Sequence, residues 1–332
     1  MESTQNLKKR IKSVSNINKI TKAMELVAAT KMRKAQEVAL ASRPYAFAAL
    51  NLLANVSLLQ KELPELLQQR KIKKVLFVLV SSDKGLAGAF NSSVFKKFEQ
   101  HMSRYARSGE ARQNDAQKYA AEEKFFVAVG EKSFQYLSKK GINILQKFVE
   151  VGDFTTPEHV HPLTEFLVNG YLGDPSTGSG QANWDRVVIF SMHFKSALKQ
   201  EAHVRRILPI DFDHIKETVQ ELVPQTGRFA ELIKEQQLDF TNQKKEEKTY
   251  LIEPSAKIVL EKLVRHLFFM QVYQLILEAN ASEHSARRMA MKTASDNALE
   301  LAEGLNLQYN KSRQAGITNQ IIEISAGAEA LN

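Results

Sequence analysis

The chain has no cysteine among its 332 residues. That excludes disulfides, thiolate zinc sites and a cysteine nucleophile, and it fits a reducing compartment. Glycine and proline are scarce, at 14 and 8 residues. Both interrupt helices, so their scarcity predicts a chain rich in helix. No apolar run approaches the ~20 residues that a membrane-spanning helix needs. The N-terminus lacks the continuous apolar core of a secretory signal. Also missing are G-x-G-x-x-G, the P-loop G-x-x-x-x-G-K-[ST], G-x-S-x-G, H-E-x-x-H and an Asp-rich calcium loop. What is present is 43% hydrophobic and 25% charged, a soluble, globular balance with room for one large domain or two smaller ones.

The formal charge is +9, unevenly placed. Residues 1–43 hold ten Lys/Arg against three acids, Glu2, Glu25 and Glu37. Such a segment should seek an acidic partner: protein, nucleic acid or membrane surface. From Thr4 to about Leu59 apolar residues recur in steps of three and four: Leu7, Ile11, Val14, Ile17, Ile20, Met24, Val27, with Ala28, Ala35 and Val38 beyond. That spacing predicts one long helix with a narrow stripe, broken or kinked at Pro44. A second long helix is predicted from about Glu253 to Leu331, started by Pro254 and a capping Ser255. Its stripe is Ala286, Ala290, Ala294, Ala298, Leu301 and Leu305, resuming as Ile317, Ile321, Ile324 and Ala328. At ~1.5 Å per residue such helices outreach a compact globule, so we expect them to pair as an antiparallel coiled coil.

Between them, about Lys73 to Leu251, the character changes. Strand-like runs are "KVLFVLVSS", "KFFVAVGE", "INILQKFVEV", "RVVIFSMHF" and "HVRRILPI". Helix-like segments such as "SSVFKKFEQHMSRYA" and "PEHVHPLTEFLVNGYL" lie between several of them. This alternation predicts a central Rossmann-like α/β domain. The expected division is 1–59, 73–251 and 253–332. Two polar stretches, within 107–123 and 173–183, read as surface loops.

The loop after the first strand, "SSDKGLAGAFN", has the look of a phosphate site, because a helix N-terminus follows it and attracts anions. Its bland reading is a turn in which glycines permit tight backbone. His159-Val-His161 could ligate a metal, but no third ligand is near. The basic N-terminal helix could bind DNA phosphates, yet its apolar stripe suits a coiled-coil flank better. In "YNKSRQAGITNQIIEISAGAEAL", Asn310, Lys311, Arg313, Gln314, Thr318 and Asn319 interrupt an apolar helix. They read either as an exposed end or as groups awaiting polar partners.

Three blocks, in order and at both ends and the middle, carry a resemblance. "LKKRIKSVSNINKITKAMELVAATKMRKAQ", "SSDKGLAGAFN" and "ASEHSARRMAMKTASDNA" with "YNKSRQAGITNQIIEISAGAEAL" resemble the gamma subunits of bacterial F-type ATP synthases. Departures are Ala87, where the family usually has Cys, Gly88-Ala89 for its glycine pair, and Ser312 in its K-A-R-Q-A run. The resemblance implies a non-catalytic rotor stalk inside a ring of three alpha and three beta subunits. Its α/β domain would join the epsilon subunit and the c-ring of the membrane sector. It implies no cofactor, no metal, no nucleic acid and no membrane span of its own. The central loop would be structural, with catalysis on the beta subunits. Residue by residue, Met24 corresponds to the family's contact with an acidic beta segment. Arg313, Gln314 and Thr318 correspond to its polar contact with the hexamer near the bearing. Because the family's helix begins within the first few residues, we expect a peripheral protein on the cytoplasmic face of a bacterial plasma membrane. The alternative is a nucleotide-binding α/β enzyme with a coiled-coil appendage.

Overall fold

The computed structural model describes residues 3–41, 64–107, 123–151, 155–173, 182–210 and 252–329. The expected break at Pro44, the helix beyond 41 and most of both polar loops lie outside these residues. The chain divides into two compact units, Met1–Thr30 with Arg287–Asn332, and Lys31–Ala286.

The larger unit is built on a five-stranded sheet of order β3-β2-β1-β4-β5. The strands are β1 (Lys74–Val80), β2 (Glu123–Val129), β3 (Gln146–Phe148), β4 (Arg186–Phe194) and β5 (Gln200–Leu208). Each overlaps one of the five strand-like runs; β1, β3 and β4 fall within theirs, while β2 starts one residue earlier and β5 three. β1 pairs in parallel with both β2 and β4, β2 with β3, and only β5 is antiparallel. Strand β1, "KVLFVLV", is buried at every position after Lys74. A central parallel strand is covered on both faces, which is why its sequence is continuously apolar rather than alternating. The helices are α1 (Thr4–Ala41), α2 (Phe90–Arg107), α3 (Glu131–Lys139), α4 (Pro157–Leu172) and α5 (Ala256–Glu329). Phe77, Phe98, Phe126 and Phe190 stack or meet edge-on between α2 and the sheet. Gly170 of α4 admits the Trp184 ring, which a Cβ there would meet at 1.9 Å. The first half of α5 closes the core with Leu260, Val264, Phe268, Val272 and Ile276. Ser255 caps it, its Oγ accepting from the Ile258 amide at 3.4 Å.

Near the start of β5, Glu201 is pulled down to about 2, first by the hydrogen bond from Lys195, then by Lys199 and His203. Its folded pKa lies below its unfolded one. Its stabilising effect is therefore present above the ordinary carboxylate range and lost as pH falls toward about 2. We expect an NMR titration to place the Glu201 midpoint near 2, and Lys195→Ala to move it up toward the ordinary ~4. A midpoint already near 4 in the unaltered chain would contradict this geometry.

The smaller unit is the antiparallel pairing of α1 with the later part of α5. Ser295 Oγ donates to Asn18 Oδ1 at 2.8 Å across the pair. The buried seam is Leu7, Thr21, Glu25 and Ala28 on α1, and Met291, Ser295, Ala298 and Leu305 on α5. This corrects the expected stripe. Ile17, Ile20 and Val27 are 49%, 59% and 54% exposed, and Leu301 is 50% exposed. Polar Thr21 and Glu25 take the inner face instead, because each satisfies itself locally. Thr21 Oγ1 donates to the Ile17 carbonyl at 2.9 Å, and Glu25 accepts from Lys22 Nζ at 2.9 Å. That bond to Glu25, more than the charge of Asp296 nearby, holds Lys22 above the usual lysine range. After Gly316, Ile317, Ile321 and Ile324 are exposed as well, so the resumed stripe is not a seam within this chain.

Candidate functional site

The opening loop follows β1 at the C-terminal edge of the parallel strands, where open α/β sheets bind ligands. At this edge the loop's own groups meet the neighbouring helix, α3. Asp83 accepts from the Glu131 amide at 3.0 Å through Oδ1, and from the Glu150 amide at 3.0 Å through Oδ2. Ser81 Oγ accepts from the Ser133 amide at 2.6 Å. The N-terminus of α3 is thus capped by a carboxylate and a hydroxyl of the loop itself. Asn91, at the start of α2, faces inward too: its Oδ1 accepts from the Ser82 amide at 3.1 Å and its Nδ2 donates to Ser82 Oγ at 2.7 Å. The loop therefore turns the chain and locks β1 to β2, α2 and α3.

The histidines resolve in the same way. His159 Nδ1 accepts from the Thr156 amide at 3.2 Å, so it caps α4. His193 meets Glu278 at 2.7 Å, both side chains being 5% exposed, and Arg205 reaches the same Glu278 oxygen at 3.4 Å. This buried cluster ties α5 to β4 and β5. Among the described residues no group of His, Asp or Glu could hold a metal ion, and no helix is long and apolar enough to cross a membrane.

The surface left open is that of the helix pair. Arg313, Gln314 and Thr318 are all exposed. Gln314 and Thr318 are one turn apart and share a face, with Thr318 Oγ1 donating to the Gln314 carbonyl at 3.0 Å. Met24 is half-buried on α1. It lies six residues past Asn18, which faces Ser295. The pairing thus sets Met24 beside a position ~24 residues, or ~36 Å of helix, from Arg313. The structure groups the last three predicted residues and does not bring Met24 to them. Sequence reasoning missed an exposed apolar face made by Ile17, Ile20 and Val27. Its signal was there, since α1 has more apolar positions than one seam can bury.

A profile of the ATP synthase family matches residues 3–331. The ATP synthase gamma chain of Opitutus terrae is 37% identical over 327 residues, 98% of each chain. That of Herpetosiphon aurantiacus is 35% identical over 336 residues, covering all of both. Among solved structures, a chain of the Euglena gracilis mitochondrial ATP synthase OSCP/F1/c-ring assembly matches with a TM-score of 0.56 at 15% identity. It covers 99% of this chain and 94% of that one. A chain of the Tetrahymena thermophila mitochondrial ATP synthase central stalk and c-ring matches with a TM-score of 0.54 at 22% identity, over 83% and 99%. What these chains share is a class: an α/β sheet domain combined with long, paired terminal helices. Within it, this chain belongs to the ATP synthase family, among its gamma chains.

Proposed function

We infer that this chain is the central rotor stalk of an F1 sector, carrying rotation between an ion-driven membrane ring and a catalytic alpha–beta hexamer. The observation that carries this reading is the exposed apolar face of the helix pair, in a chain that matches gamma chains from end to end. A helix pair with Ile17, Ile20 and Val27 turned outward, continued by a helix with Ile317, Ile321 and Ile324 exposed, is built to be enclosed. The enclosing ring is three alpha and three beta subunits. The two helices present different side chains around their circumference, while the ring is nearly threefold. Each beta subunit therefore meets a different face as the stalk turns and favours a different nucleotide affinity, a population shift driven by differential contacts. Chemistry belongs to the beta subunits. The epsilon subunit and the c-ring engage the α/β domain.

Within this reading the stalk is 1–59 with 253–332, and 73–251 is the foot. Basic residues of α1 draw it to acidic beta segments in a salt-sensitive way, with Met24 among the contacts. Arg313, Gln314 and Thr318 are the polar contact with the hexamer. The protein works peripherally, on the cytoplasmic face of a bacterial plasma membrane.

Purified alone, the chain is expected neither to bind nor to hydrolyse ATP, and adding alpha and beta subunits should restore a coupled ATPase. Arg313→Ala or Gln314→Ala should lower coupled synthesis about fivefold, the factor that ~1 kcal/mol of lost hydrogen bonding carries. Helix content by circular dichroism should not change, because both side chains are exposed. Unaltered synthesis in both variants would remove these residues from the contact. Tight ATP or NAD binding to the isolated chain would favour a nucleotide enzyme instead.

A further inference from the structure

The larger unit holds a cavity of about 250 Å³ that the functions above do not use. Three elements line it. α1 contributes Lys31, Lys34, Ala35 and Val38. The start of α4 contributes Thr155, Thr156 and Pro157. Tyr273, Leu277, Asn280 and His284 come from α5.

The polar groups deep in it are engaged with one another. Tyr273 donates its hydroxyl to the Thr155 carbonyl at 3.1 Å, and Asn280 Nδ2 donates to the Val151 carbonyl at 3.0 Å and to Thr155 Oγ1. What faces the space is therefore mainly hydrocarbon: Ala35, Val38, Leu277, Pro157 and the Tyr273 ring. Among the described residues the lysines of the lining are all on α1. Lys31 and Lys34 stand three apart on α1 and so share a face. Lys34 is exposed and Lys31 half-buried. Among the described residues no Asp or Glu lines the cavity. Glu158, the acid just past Pro157, is drawn to Thr156, whose side chain holds its carboxyl below the usual range.

We propose that this cavity binds a small amphiphilic carboxylate, with its apolar body against Leu277, Val38 and Tyr273 and its head at the mouth beside Lys34. The volume favours a compact ligand. A water takes about 30 Å³ of liquid, so the space equals roughly eight waters, enough for a medium-chain acid. A phosphate would fit poorly. The walls offer it too few donors to replace its hydration, and an unpaired charge inside hydrocarbon is costly. Only a ligand that keeps its charge at the wet mouth satisfies both ends.

The test is a titration of the purified full chain with sodium octanoate, followed by calorimetry and by NMR. The expected result is one saturable site, bound at least fivefold more tightly than butanoate and not competed by inorganic phosphate. Lys34→Glu, at an exposed position that should not disturb the fold, should weaken octanoate at least fivefold. Ala35→Phe should fill the space and abolish binding. If Ala35→Phe fails to fold, Lys34→Glu with the butanoate comparison decides the matter alone. No saturation at millimolar octanoate, equal competition by phosphate, or affinity unmoved by Lys34→Glu would each overturn the proposal. So would loss of octanoate binding once the chain is assembled with alpha and beta subunits, which would mark the cleft as a seat for a partner's side chain.

Discussion

Gly130→Val is expected to leave the α/β unit unable to reach its folded state. Gly130 sits at the turn from β2 into α3 with φ +91°, a conformation that side chains rarely adopt. A Cβ there would lie 2.2 Å from the Ser81 carbonyl oxygen and 2.8 Å from its carbon. These are backbone atoms, and they cannot swing aside. The backbone is also pinned from several directions. The Gly130 amide donates to Phe148 O at 2.7 Å, the Ser81 amide to Val129 O at 2.8 Å, and the Ser133 amide to Ser81 Oγ at 2.6 Å. Relief of the clash must therefore break the junction of β1, β2, β3 and α3. We expect a loss of about 4 kcal/mol or more, a large share of the ~5–15 kcal/mol that holds a domain together. Urea denaturation measures it. Gly85→Ala is the control: nothing lies within 4 Å of a Cβ there, so its effect should stay within about 0.5 kcal/mol. A Gly130→Val protein with an unshifted midpoint would contradict the described turn.

Ala28→Asp should separate the helix pair. Ala28 is 1% exposed on the α1 seam, one turn from the buried Glu25. A second carboxylate at that spacing repels the first. Moving a charge out of water into the seam costs several kcal/mol. We expect about 3 kcal/mol of destabilisation, loss of helical circular dichroism, protease sensitivity confined to residues 3–30, and failure to couple ATPase to rotation. Ile20→Asp, at a 59% exposed position, should leave the pair folded and weaken only its fit within the hexamer. Equal damage from both substitutions would mean that the seam has been assigned to the wrong face.

That contrast shows where the sequence was readable. Strand β1 was legible because a parallel strand covered on both faces must be apolar throughout, and "VLFVLV" is unmistakably so. Both long helices were legible from their spacing and from the scarcity of glycine and proline. The seam was not. Periodicity reports where apolar residues recur, and on α1 they recur on two faces, one for α5 and one, on our reading, for the surrounding ring. Ile17, Ile20 and Val27 belong to the second, while Thr21 and Glu25 enter the first because their hydrogen bonds are met locally. The role of Asp83 was hidden for another reason. Its partners, the amides of Glu131 and Glu150, come near only once the sheet has formed. The same holds for His193, Arg205 and Glu278, which are far apart in the chain and meet only in the core. The grouping of Arg313, Gln314 and Thr318 could be read from helical spacing, but their assignment to a partner came from resemblance alone.

The central claim is that this chain turns. It has no cysteine, so Leu198→Cys, at a position 79% exposed, gives a single attachment point on the α/β unit. With the alpha–beta hexamer fixed to glass and a bead on that thiol, ATP should drive continuous rotation in one direction. A bead that stays still, or only jitters, while the same complexes hydrolyse ATP at full rate would contradict the account.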